Sequence, residues 1–279
     1  MREITWPERA LFAVICVAAL FVAYLGLFRP VRMDRSFTWA LLPPLHARFV
    51  GVAYLFGGVF MIGCLLARTR SAVAPALPAI GIFTSLLLLV TLLNLEAFDY
   101  DLGPPWVWTV SYVVYPVLSF ALAWRCRDTG PPVTGPPLDA WARTFLLVQA
   151  GVFGILGLGL LVAREVLVDA WPWPISNGVA QFYGGPFLAY AYCSWAYGRK
   201  RTWTEVAPVV PAMLVFTGGT VVVSLIHDEL FSAGDVADWV WFAGFATGAA
   251  VLAAMAVRLV QVSRQAPRAA RARWSPASS

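Results

Sequence analysis

Eight apolar runs, at about residues 10–28, 46–66, 74–95, 106–124, 142–163, 178–198, 206–226 and 237–260, constrain this chain more than any other feature. Each is close to the ~20 residues a helix needs to cross ~30 Å of hydrocarbon. Of the 279 residues 60% are hydrophobic and only 13% are charged. A soluble domain carries roughly a quarter charged residues, so water cannot be the solvent for most of this surface. Strands of a membrane barrel would show short alternating segments. Leu86-Leu87-Leu88-Leu89-Val90 and Gly248-Ala249-Ala250-Val251-Leu252 are instead apolar on every side. The expected fold is an all-α polytopic membrane protein of eight transmembrane helices.

The first run follows Arg2 and Arg9, as a secretory signal would, but it is long and no small-residue cleavage site precedes Arg29-Pro30. It is read as a spanning helix. Cys16, Cys64, Cys126 and Cys193 form no Cys-x-x-Cys pair, so neither a disulfide framework nor a zinc site is expected.

Orientation follows from the basic residues. With the N-terminus in the cytoplasm, 15 of the 20 Lys and Arg fall inside and ten of the 15 acidic residues outside. Both termini are then cytoplasmic. The basic balance reads as topology and contact with anionic lipid, and no aromatic-and-basic motif suggests nucleic acid.

Sliding the chain against itself by 133 residues brings its halves into a nearly gap-free register. Leu25-Gly26-Leu27 meets Leu158-Gly159-Leu160, Arg68-Thr69 meets Arg201-Thr202, and Phe83-Thr84 meets Phe216-Thr217. Glu96 and Phe98 meet Glu229 and Phe231, and Trp106-Val107-Trp108 meets Trp239-Val240-Trp241. The expected organisation is two tandem four-helix repeats, 1–129 and 138–262, joined by a Pro/Gly-rich cytoplasmic linker at 130–137 and followed by a basic tail at 263–279. Four helices is an even number, so the copies are parallel, related by an axis along the membrane normal.

Pro75 and Pro208 are expected where third helices begin. Trp106, Trp108, Trp239 and Trp241 are expected as interfacial anchors. Gly151, Gly154, Gly157 and Gly159 are expected as a surface for close helix approach.

The run Leu93-Asn94-Leu95-Glu96-Ala97-Phe98-Asp99-Tyr100, then Trp106-Val107-Trp108 and Tyr112-Val113-Val114-Tyr115-Pro116, resembles a pattern in uncharacterised multi-pass membrane proteins of high-GC bacteria. The likeness covers roughly the third and fourth helices of each copy. It implies a bacterial inner-membrane location and carries over no chemistry. One Lys against 19 Arg fits a high-GC genome.

Polar residues inside so apolar a chain are the candidates for function. Thr217, Thr220, Ser224 and His227, at spacings of three, four and three, share one helical face. Copy one keeps Thr84, Thr91 and Asn94 at matching places. Such a stripe either lines a site or merely bonds back to its own or a neighbouring helix. At the outer ends stand Asn94 and Glu96 in copy one and His227, Asp228 and Glu229 in copy two. Arg48 and Gln181 occupy equivalent places at the outer start of the second helices. Arg48 at a helix N-terminus calls for a carboxylate, which Glu96 or Asp99 could supply. These ten residues, Arg48, Asn94, Glu96, Gln181, Thr217, Thr220, Ser224, His227, Asp228 and Glu229, form the candidate binding set.

No metal or cofactor is expected. Asp228 and Glu229 diverge by ~100° per residue from His227 on a helix, and a haem between His46 and His227 is disfavoured. No nucleotide-binding loop, Ser-His-Asp set or His-Glu-x-x-His is present. The leading functional expectation is small-solute or ion transport or binding, at a site near the outer face between the repeats. The alternatives are a non-transporting scaffold or accessory subunit, and a membrane enzyme on a lipid-linked substrate with Glu96, Glu229 or His227 as acid or base.

Overall fold

A computed structural model describes residues 3–36, 43–125, 133 and 135–272, with side chains left out for 34–36 and 266–272. Eight long helices alternate in direction: α1 Trp6–Phe28, α3 Pro44–Leu66, α5 Ala76–Leu93, α6 Gly103–Arg125, α7 Ala140–Val162, α9 Asn177–Gly198, α11 Val210–Ile226 and α12 Val236–Ala272. Short helices α2 Pro30–Ser36, α4 Arg70–Val73, α8 Arg164–Asp169 and α10 Trp203–Val206 lie between them. No strand occurs among the described residues, only an isolated bridge between Pro137 and Thr202. Expectations placed on Cys126, on most of the linker and on the tail beyond Ala272 fall outside the described residues.

The chain is an all-helical multi-pass membrane protein. Among the described residues six stretches are long and apolar enough to cross a membrane: Trp6–Phe28, Pro44–Leu66, Arg70–Leu93, Gly103–Arg125, Ala140–Val162 and Val236–Gln265. The other two long helices depart from that pattern for physical reasons. α11 has only 17 residues because the chain breaks around Pro208. α9 carries Gly184, Gly185, Pro186 and several tyrosines, and nearly all of it is buried against other helices. A helix enclosed by protein does not need the hydropathy of one that faces lipid.

α1 packs along α3, and α7 along α9. α5 pairs with α6, and α11 with α12. Between the halves, α3 packs on α11 and α5 on α9. Small residues set the closest approaches. A Cβ on Gly26 would lie 2.5 Å from the Ala47 carbonyl oxygen, and one on Gly184 would lie 2.9 Å from that of Gly157. Of the glycines expected to form a contact surface, Gly157 does so, whereas Gly151 has open space around it.

At the face carrying the N-terminus, Glu8 is fully buried and serves two partners. Its Oε2 accepts from the backbone N–H and hydroxyl of Thr5, capping α1. Its Oε1 accepts from Arg70 Nη2 at 3.0 Å, tying α4 to α1. In the other half, Glu205 caps α10 through Thr202 and also accepts from Ser71, joining α10 to α4. Burial pushes Glu205 up, but bonds from Ser71, the Arg201 backbone and Thr202, with the Lys200 charge, leave it below the ordinary carboxylate range.

The tryptophan expectation divides. Trp106 and Trp239 are exposed and donate to the Tyr100 and Ala233 carbonyls, each at 2.9 Å. Trp108 and Trp241 turn inward instead, donating to Thr91 Oγ1 and Ser224 Oγ at 2.9 and 3.0 Å. A buried indole N–H needs such a partner. α12 continues as helix past position 263 to Ala272.

Candidate functional site

A cavity of about 520 Å³ lies in the first half of the chain. Ligand sites commonly span ~300–1,000 Å³. Its walls come from α1, α3, α5 and α6, with α9 and Phe216 of α11 closing its back. It runs along the helices from Leu25, Phe98 and Val107 at the far face down to Ile15, Met61 and Ile80. The ten residues of α1 between Ile15 and Leu25 correspond to ~15 Å of depth. α1 follows α3 closely but barely touches α6. Phe21 on α1 and Val107 on α6 line the cavity yet are 61% and 70% exposed, so it opens sideways between these helices. On spanning helices that opening faces lipid.

Residues 133 positions further on explain why the space exists. In the first half, Tyr54, Phe83, Tyr112 and Trp108 form a chain of rings with centroids 5.8, 6.4 and 4.4 Å apart. Phe187, Phe216, Phe245 and Trp241 repeat it at 6.1, 6.0 and 4.4 Å. The second half adds Phe153, 5.5 Å from Phe187 and 4.6 Å from Tyr190. Leu20 and Gly57 stand at the places of Phe153 and Tyr190. Leu20 leans onto Gly58, and Gly57 has no side chain. Two missing rings leave a hollow in a close-packed interior.

The lining contains no Asp, Glu, Lys, Arg or His. Several of its polar groups are already engaged, whereas the buried Tyr190 hydroxyl has no hydrogen-bond partner among the described residues. Thr84 Oγ1 donates back to the Ile80 carbonyl at 2.7 Å, and Trp108 donates to Thr91. The Tyr54 and Tyr112 hydroxyls, on α3 and α6, bond to each other, and both residues line the cavity.

A second cluster lies at the far face, where α3 meets α11. Arg48 Nη1 lies 2.9 Å from His227 Nε2, and His227 Nδ1 lies 3.1 Å from Glu229 Oε1. A guanidinium only donates, so Nε2 accepts and the proton of a neutral imidazole sits on Nδ1, donated to Glu229. Glu229 is held below the ordinary carboxylate range by a backbone N–H, then by the His227 bond, with the Arg48 charge adding to it. The matching pair 133 residues away is Asn94 with Gln181, whose Oε1 accepts from Asn94 Nδ2 at 3.2 Å. Arg48 therefore finds its partner on α11 rather than in Glu96 or Asp99, because that face of α3 packs against the second half.

The structure thus brings Arg48, His227 and Glu229 together, and Asn94 with Gln181, while Glu96 and Asp228 are exposed and stand apart. Thr217, Thr220 and Ser224 do not line the cavity. Thr217 and Thr220 donate to the Met213 and Phe216 carbonyls, and Ser224 accepts from Trp241. Two hydroxyls of the stripe thus bond back within α11 and the third bonds across to α12. His46 sits in a separate network, accepting on Nδ1 from Trp173 and donating from Nε2 to the Pro174 carbonyl. The centre between α3 and α9 is filled by rings such as Phe49 against Tyr183 at 4.7 Å and Phe56 against Tyr190 at 5.4 Å.

Tyr54, Gly57 and Tyr112 are absent from the sequence candidates because none is charged or readily ionised near neutral pH. The signal was present as a difference between the halves: Gly57 against Tyr190, and Tyr54 and Tyr112 against Phe187 and Phe245. The chain matches no protein-family model, no curated protein and no solved structure.

Proposed function

We propose that this protein is a membrane-resident binding protein that takes a bilayer-soluble molecule sideways into the cavity of its first half. The cavity carries the reading: it is apolar, uncharged and open to lipid between α1 and α6. In this reading all eight long helices span, as two parallel four-helix copies in the cytoplasmic membrane of a bacterium, with both termini and an anionic-lipid contact inside. Matched helix pairs, ring chains and Trp108 and Trp241 bonds, all 133 residues apart, support the two copies. The excess of Lys and Arg at one face supports the orientation.

Gly57→Phe tests it by restoring a ring where the second half has Tyr190. A Cβ at Gly57 meets only Ala19 Cβ, at 3.7 Å, so the backbone accepts a side chain there. Native mass spectrometry of the purified full chain is expected to show one apolar molecule retained per chain, and none on Gly57→Phe. Equal retention by both proteins would refute the reading.

The polar pairs at the far face favour a second reading, a small-solute or ion site at Arg48, His227 and Glu229. Uptake into proteoliposomes that is unchanged in His227→Ala and Glu229→Ala would dismiss it. The ring-filled centre between α3 and α9 offers such a solute no continuous polar path.

A further inference from the structure

The Tyr54 and Tyr112 hydroxyls hold two protons between them, and their mutual bond uses one. Whichever ring donates, the other ring's proton has no acceptor among the described residues. Both rings are more than nine-tenths buried, and both line the cavity. A donor left bare in such a place is costly, and a ligand oxygen would satisfy it.

Depth narrows the ligand. Tyr54 lies ten residues along α3 from Pro44 and Tyr112 nine along α6 from Gly103, which places their Cα atoms ~14–15 Å below the far end of the bundle. A phospholipid headgroup held at the membrane surface does not reach there. The oxygen must ride on an apolar body. The absence of charge in the lining requires that body to be neutral. Phe56, Phe60, Phe83 and Trp108 give it aromatic walls, which suit a flat ring. An acceptor-only oxygen answers the spare proton of the Tyr54–Tyr112 pair without bringing another.

We propose that the cavity binds a neutral, flat, bilayer-soluble molecule bearing a carbonyl oxygen on an apolar ring, a quinone-class compound, with that oxygen accepting from the Tyr54–Tyr112 pair. This rests on the cavity being a binding site at all, and the test separates the two claims. The probes are 2,3-dimethyl-1,4-naphthoquinone and 2,3-dimethylnaphthalene, equal in shape and differing in the carbonyls, measured by equilibrium dialysis against the full chain in nanodiscs. The quinone is expected to bind about tenfold tighter than the hydrocarbon. Tyr54→Phe and Tyr112→Phe each leave one free hydroxyl and should keep the preference. The double variant should lose it and bind the two probes alike. That double variant reproduces Phe187 and Phe245, which both pack against Phe216 in the second half, and an unchanged unfolding midpoint checks it. Equal binding of both probes by the unaltered chain, abolished by Gly57→Phe, would overturn the ligand class and leave the cavity reading standing. Binding that Gly57→Phe leaves unchanged would overturn both.

Discussion

Arg48 and His227 hold the two halves together at the far face through a bond that works only while the imidazole keeps Nε2 free to accept. Asn94 and Gln181 make the equivalent contact with neutral groups. The two pairs solve one packing problem with different chemistry, so one should substitute for the other. Replacing Arg48 by Leu strips the imidazole of its donor and is expected to lower the unfolding midpoint, with a loss of ~1–3 kcal/mol. The combined change Arg48→Gln with His227→Asn rebuilds an amide pair and is expected to return the midpoint close to its starting value. SDS titration followed by tryptophan fluorescence measures both. A double variant as unstable as Arg48→Leu would show that the charge itself is required. Sequence reading found all four residues and their equivalence. It missed the partner of Arg48, because charge complementarity pointed along the chain to Glu96 while the partner came from the other half.

Helices were the most legible part of the sequence, since a long apolar run in a bilayer has one way to satisfy its own backbone. The ends of α5 and α11 followed from Pro75 and Pro208, and Trp106 and Trp239 reached the surface positions expected of them. The roles of Trp108 and Trp241 were not legible, because rings two residues apart on one helix point in different directions and only packing decides which turns inward. The glycine contacts were legible as a type but only in part as positions, Gly157 making one and Gly151 none. Gly51 lies against the Leu27 backbone nitrogen, 2.9 Å from where its Cβ would be, in the α1–α3 seam. Gly51→Leu therefore forces backbone apart and is expected to cost ~1–3 kcal/mol or prevent folding, read as loss of monodisperse protein on size exclusion. Gly103→Ala, which meets nothing within 4 Å, is expected to behave as the unaltered chain.

On the scale of the whole molecule, a repeated ring framework supports two different interiors. The second half closes its interior with Phe153 and Tyr190, and the first leaves it open to the bilayer through Leu20 and Gly57. The halves differ in charge at Arg48 and His227, and they differ in volume at Gly57, a position with no reactive group to mark it. The proposed role follows from that difference: the second half is a packed support, and the first holds the guest. Density from electron cryomicroscopy of the full chain in nanodiscs tests this most directly. The account predicts an elongated non-protein feature between α1 and α6, ending at Tyr54 and Tyr112, and its disappearance in Gly57→Phe. A map in which α1 closes against α6 and protein side chains fill that volume would contradict it.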